Sequence, residues 1–138
     1  MITEALTSAV TYFAKEVLDS PVTLFQSCST EPCYGAAIDI HGAEPLTIHV
    51  YIRPQSLKKM AHLFLLEESP DPETLEDLIQ EVANIIVGRA KVDAAANDLH
   101  FDIGTPRYLG ADLPVDCGDF QVNFRFEEEI FSVTGRSA

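Results

Sequence analysis

The sequence predicts an α+β fold in which helices pack on a mostly antiparallel sheet. Two observations carry this. Apolar residues recur at intervals of three and four in three segments, and at intervals of two in short runs between and after them. Taken in order, the segments make helix, strands, helix, helix, strands, the pattern of an α+β domain. With 138 residues, 46 % of them hydrophobic, the chain is expected to form a single domain, 1–138, around one core.

The first helix opens near Thr3-Glu4. Ala5, Leu6, Ala9, Val10, Phe13 and Val17 keep helical spacing until Asp19-Ser20-Pro21 stops the pattern. Residues 22–27 read as a short strand and 28–32 as a loop. Residues 34–40 and 46–52 read as a hairpin joined by His41-Gly42-Ala43-Glu44-Pro45. In its second strand Ile48, Val50 and Ile52 alternate with Thr47, His49 and Tyr51, so one side is buried and the other partly wet. Pro54 ends that strand, Ser56 is placed to cap, and Leu57, Met60, Ala61 and Phe64 mark a second helix ending near Leu66.

The third helix occupies most of 71–98 and organises the chain. Asp71 can accept from the orphan amides of the first turn, and Pro72 at the first helical position loses no needed donor. Thr74 is a second candidate cap. Leu75, Leu78, Ile79, Val82, Ile85, Ile86 and Val92 form the apolar stripe. A strand then runs from Leu99 to Ile103, breaks at Gly104-Thr105-Pro106 and resumes over 107–110. Proline there points to a sheet edge or a bulge. A loop is expected over 111–118. Residues 120–126 and 130–134 make a terminal hairpin through Glu127-Glu128-Glu129, and 135–138 are expected to fray.

The outward side of the third helix carries Asp77, Gln80, Glu81, Asn84, Gly88 and Lys91, again at intervals of three and four. Glu81 and Asn84 are one turn apart, with Cβ atoms roughly 5–6 Å from each other. Asn84 and Gly88 together cost a helix interior on the order of 1.5 kcal/mol relative to alanine. Polar residues on an outward face are ordinary, but a helix that breaks its own local rules there invites a functional reading.

Composition narrows the partners. The formal net charge is −13, from 22 acidic and 9 basic residues. Such a surface repels phosphate backbones and anionic lipid, so neither nucleic acid nor membrane is expected. No apolar run approaches a membrane span and residues 1–19 lack the pattern of a secretory signal, so a cytoplasmic location is expected. Cys28, Cys33 and Cys117 are odd in number and lack C-x-x-C spacing, which favours reduced, buried or half-buried thiols. His41, His49, His62 and His100 show no ligand spacing, and the chain lacks both a phosphate-cradling glycine loop and a G-x-S-x-G elbow.

The run Glu81-x-x-Asn84-Ile85-Ile86-x-Gly88 resembles the signature helix of the CheX/CheC/FliY family of chemotaxis phosphatases. Residues 103–110 are similar to the proline-containing strand that follows that helix in the family. The resemblance spans nearly the whole chain, although only the Glu-x-x-Asn helix is a specific motif. It implies a CheC-like fold with an internal pseudo-repeat of helix plus strands, and removal of the phosphoryl group from the aspartate of a CheY-like response regulator. It gives Asn84 the task of positioning water and Glu81 that of pairing with the regulator's lysine, with Mg²⁺ supplied by the regulator and no cofactor of the chain's own. Gly88 would let the partner's backbone approach, and Asp77, Gln80, Lys91 and Arg89 would line the footprint.

One Glu-x-x-Asn pair favours the CheX branch, and resemblance to that branch implies a homodimer through sheet edges. Receiver domains are themselves often acidic, so attraction between the two would have to be local. The competing reading is a non-catalytic CheC-like module that docks a receiver domain or a flagellar-switch protein. A small thiol enzyme is a third.

Overall fold

The structure, a computed structural model, describes residues 2–18, 22–25, 31–42, 45–126 and 129–137. Three helices, α1 (Ile2–Glu16), α2 (Pro54–Leu65) and α3 (Pro72–Ala95), cover a seven-stranded sheet. Its strands are β1 (Val22–Phe25), β2 (Cys33–Gly42), β3 (Leu46–Ile52), β4 (Phe101–Ile103), β5 (Arg107–Leu113), β6 (Phe120–Phe126) and β7 (Glu129–Ser137). They are ordered β1-β6-β7-β3-β2-β4, with β5 also on β2, and every pairing is antiparallel. Alternation along the strands sends Ala36, Ile38 and Ile40 of β2, Ile48, Val50 and Ile52 of β3, Val122 and Phe124 of β6, and Phe131 and Val133 of β7 into one core with the helices. The Phe124 and Phe131 rings stack there at 5.4 Å between centroids.

The pseudo-repeat is visible in the strand order. Each half runs helix, edge strand, hairpin: α1, β1, β2–β3, then α3, β4–β5, β6–β7. The edge strand of each half joins the hairpin of the other, β1 on β6 and β4–β5 on β2, while β3 and β7 join the hairpins at the centre. The proline-containing break falls at that edge. Ile103 pairs with Ile40 and Gly104 N–H donates to the Asp39 carbonyl at 2.9 Å, before Arg107 resumes opposite Ala37. Bulges follow around Gly35, where a Cβ would meet Leu113 Cδ1 at 2.8 Å. The proline thus lies at a sheet edge, and the bulges fall farther along β5, opposite Gly35.

Several local expectations give way. Pro54 begins α2 instead of only ending a strand, so the cap position falls on Arg53, and Ser56 is fully buried one turn in. Thr74 does not cap α3; its backbone N–H donates to Asp71 Oδ1 at 2.8 Å. Val92 is 59 % exposed, because α3 packs on α1 as well as on the sheet and its buried face widens to Ala83, Val87, Ala90 and Ala94, opposite Val92. Strand β5 runs on to Leu113. Gly135 to Ser137 do not fray. They pair with Leu46 to Ile48, the Phe120 ring lies where a Cβ at Gly135 would be, and Ser137 N–H donates to Asp119 at 2.7 Å. Cys33 is buried as expected, but Cys117 is exposed on the β5–β6 connection. Cys28, the stop at 19–21, the hairpin tip at 43–44 and the turn at 127–128 lie outside the described residues.

The face of the sheet away from the helices is partly covered by that connection, pinned where Arg136 meets Asp116 and where Asp119 N–H donates to the Gly135 carbonyl at 2.7 Å. Here His49 is half-buried, and burial holds its imidazole pKa below the ordinary value, with Arg136 and Arg107 adding to the shift and Asp116 and Asp39 opposing it. The folded chain therefore binds this proton less readily than the unfolded chain. Stability is full above the ordinary histidine pKa near 6.5 and falls as the pH drops below it. Thermal denaturation at about pH 7 and about pH 5 should show a smaller loss in Tm for His49→Gln than for the wild type.

Candidate functional site

Helix α3 starts where Asp71, in extended conformation, accepts from Thr74 N–H, with Pro72 in the first turn. That hydrogen bond also holds the Asp71 carboxyl below the usual carboxylate range. From this start the buried stripe is clamped on two sides, by α1 and by the sheet, so the remaining side faces solvent along most of the helix. Asp77, Glu81, Asn84 and Lys91 are exposed on it, and Gln80 and Gly88 are partly exposed.

These side chains are used differently. Glu81 and Asn84 have no side-chain hydrogen bond or ion pair with any described residue, so folding places them without consuming them. Gln80 turns back and donates to the Glu76 carbonyl at 3.1 Å, and Lys91 reaches Asp102 at 3.4 Å in an exposed pair. Arg89 points elsewhere. Its guanidinium lies 4.2 Å from the Tyr12 ring centroid and 3.2 Å from Asp93, which also accepts from Ser8, so it belongs to the α1–α3 seam.

Gly88 is informative because a Cβ there would meet nothing within 4 Å. Packing inside the fold therefore does not require glycine, and its cost in a helix interior goes uncompensated within the chain. Gly88→Ala is expected to stabilise the protein by about 0.5–1 kcal/mol, read as a higher Tm in thermal denaturation. A lower Tm would mean that the glycine serves the fold.

Beside the stripe, a groove of about 310 Å³ opens between α2 and α3, lined by Phe64, Leu65, Thr74, Asp77, Leu78 and Glu81. A second hollow of about 330 Å³ lies towards the C-terminal end of α3, lined by Lys91 and Ala95 together with His41, Gly42, His100, Phe101 and Asp102. Spacing along the chain reveals neither, because the walls of each come from different elements. The doublet Leu65-Leu66 just before the acidic Glu67-Glu68 was the one local signal for the first. Among the described residues no group of three or more histidines, cysteines or carboxylates is placed to hold a metal ion, and no helix is long and apolar enough to cross a membrane.

Against known protein families, residues 34–123 match the family model described as chemotaxis phosphatase CheX, a span that runs from β2 to β6 and contains all of α3. The chain belongs to the CheX family. No curated protein matches the sequence. Among solved structures, the chemotaxis protein CheX from Vibrio vulnificus is similar with a TM-score of 0.82 at 15 % identity, over 98 % of this chain and 96 % of that one. CheX from Desulfovibrio desulfuricans is similar with a TM-score of 0.82 at 18 % identity, over 99 % of each chain. A chain of the CheX–CheY–BeF3–Mg²⁺ complex from Borrelia burgdorferi is similar with a TM-score of 0.76 at 17 % identity, again over 99 % of each. At these identities the likeness is one of fold. It places the chain's three helices and antiparallel sheet in the CheC-like architecture that CheX proteins share.

Proposed function

We propose that this CheX-family chain hydrolyses the aspartyl phosphate of a CheY-like response regulator, with the outward stripe of α3 as its working face. One observation carries the reading: Glu81 and Asn84 sit one turn apart, exposed and without a side-chain hydrogen bond or ion pair to any described residue, on the helix inside the family-matched span. The CheX–CheY–BeF3–Mg²⁺ complex, one chain of which shares this fold, supports a CheY-like protein as the partner.

The chemistry asks little of this side. An acyl phosphate is already activated, and its hydrolysis joins a water oxygen to phosphorus while the carboxylate leaves, giving free carboxylate and inorganic phosphate. What remains is to hold the water in line and to keep the partner in register. Asn84 supplies a neutral amide with both acceptor and donors, so it can orient that water without a shifted pKa. Glu81 offers a carboxylate that no described residue pairs with, suited to a lysine of the regulator. Any Mg²⁺ would be supplied by the regulator, where it would offset charge on the phosphoryl group. At Gly88 the absent side chain lets the partner's surface come close.

The test is the decay of a phosphorylated CheY-type receiver with and without the protein. Acceleration that scales with added chain supports the phosphatase. Binding without acceleration would replace it by the docking-module reading, and the rate should be indifferent to replacing Cys28, Cys33 and Cys117 by serine, which a thiol enzyme would not survive.

A further inference from the structure

Two residues on this side of the molecule stand opposite to what folding favours. Gly88 sits in a helix interior with open space around it, while Leu66, at the C-cap of α2, takes the left-handed conformation in which glycine is preferred, with φ 59° and ψ 29°. Leu66 is also 82 % exposed, and Leu63 and Leu65 beside it are 37 % and 43 % exposed. An apolar side chain held both strained and wet gains nothing for the fold, and a local apolar patch of this kind marks a contact surface.

The patch leads into the α2–α3 groove. Phe64, Leu65 and Leu78 make its apolar side, and Asp77 and Glu81 its acidic side. No described cation pairs with either carboxylate. A lysine or arginine side chain satisfies both halves at once, its stem lying on apolar surface and its head on a carboxylate. Along α3 the surface then passes to the second hollow, where Lys91 is already paired with Asp102 and His100 lies against Asp98.

We propose that the α2–α3 groove, with Leu65 and Leu66 as its lip, is a second anchoring point for the receiver domain. It takes a lysine or arginine on an apolar surface segment of the receiver, a residue other than the one that meets Glu81. The inference rests on the function proposed above. It supplies a local attraction for a chain whose net charge is −13, and it fixes orientation by setting the receiver's basic segment over the N-terminal half of α3.

The test uses the full chain and a receiver loaded with BeF3⁻ and Mg²⁺. Leu66→Gly suits the left-handed cap, so Tm should not fall, yet Kd should weaken by about tenfold or more while kcat at saturating receiver stays unchanged. Asp77→Asn should weaken Kd and flatten its dependence on salt. If the wild type binds and dephosphorylates the receiver but both variants bind as it does, the groove is overturned and the phosphatase stands. If the wild type neither binds nor accelerates decay, both readings fall. If Leu66→Gly instead converts a wild-type dimer to monomer with receiver binding intact, the lip belongs to a second copy and the proposal is overturned.

Discussion

Asn84→Ala is expected to lower kcat for dephosphorylation about a hundredfold at saturating receiver, while Kd for the receiver stays within about twofold of the wild type. The split follows from the proposed role. A side chain that orients water acts in the transition state and adds little to ground-state docking, so its loss falls on the rate. Asn84 is exposed and its side chain makes no hydrogen bond to any described residue, so the substitution should leave the fold intact; alanine is also the better helix former, which argues against a stability explanation for lost activity. The measurement is a paired one, single-turnover decay at several chain concentrations and equilibrium binding to the BeF3⁻-loaded receiver. An unchanged kcat would remove Asn84 from the mechanism.

Glu81→Arg is expected to act on the other axis, weakening Kd by about a hundredfold and leaving kcat at saturation near the wild-type value. Reversing a charge opposite a partner's cation replaces an attraction by a like-charge contact at the centre of the proposed footprint. Glu81 is exposed and unpaired among the described residues, so folding should tolerate the change to within about 0.5 kcal/mol. Fluorescence or calorimetric titration reads the loss, and raised salt should shrink the difference between wild type and variant. A variant that binds normally would place the lysine partner elsewhere.

Much of this was legible in the sequence because it is local. Asp71-Pro72 marks the start of α3, Pro106 points to an edge or a bulge and lies at the edge, and the alternation in β3 marks the buried side, each through constraints acting within a few residues. The outward stripe followed from the same periodicity. What escaped depends on neighbours distant in sequence. Val92 looked like core until α1 pulled the buried face of α3 round to Ala90 and Ala94, and Gly135 looked like a fraying end until the Phe120 ring was laid across it. Arg89 looked like footprint, but Tyr12 and Asp93 hold it in a seam between helices. The α2–α3 groove has walls from two helices, and no spacing within either could reveal it.

If one face of α3 meets the receiver, a titration of ¹⁵N-labelled chain with BeF3⁻-loaded receiver will locate it. Perturbations are expected to centre on the Asn84 side-chain amide and the backbone of Glu81 to Gly88, to reach Leu66 at one end and Lys91 at the other, and to leave His49, Thr134 and the rest of the sheet's far face silent. Perturbations confined to that far face, with α3 unmoved, would contradict docking on α3.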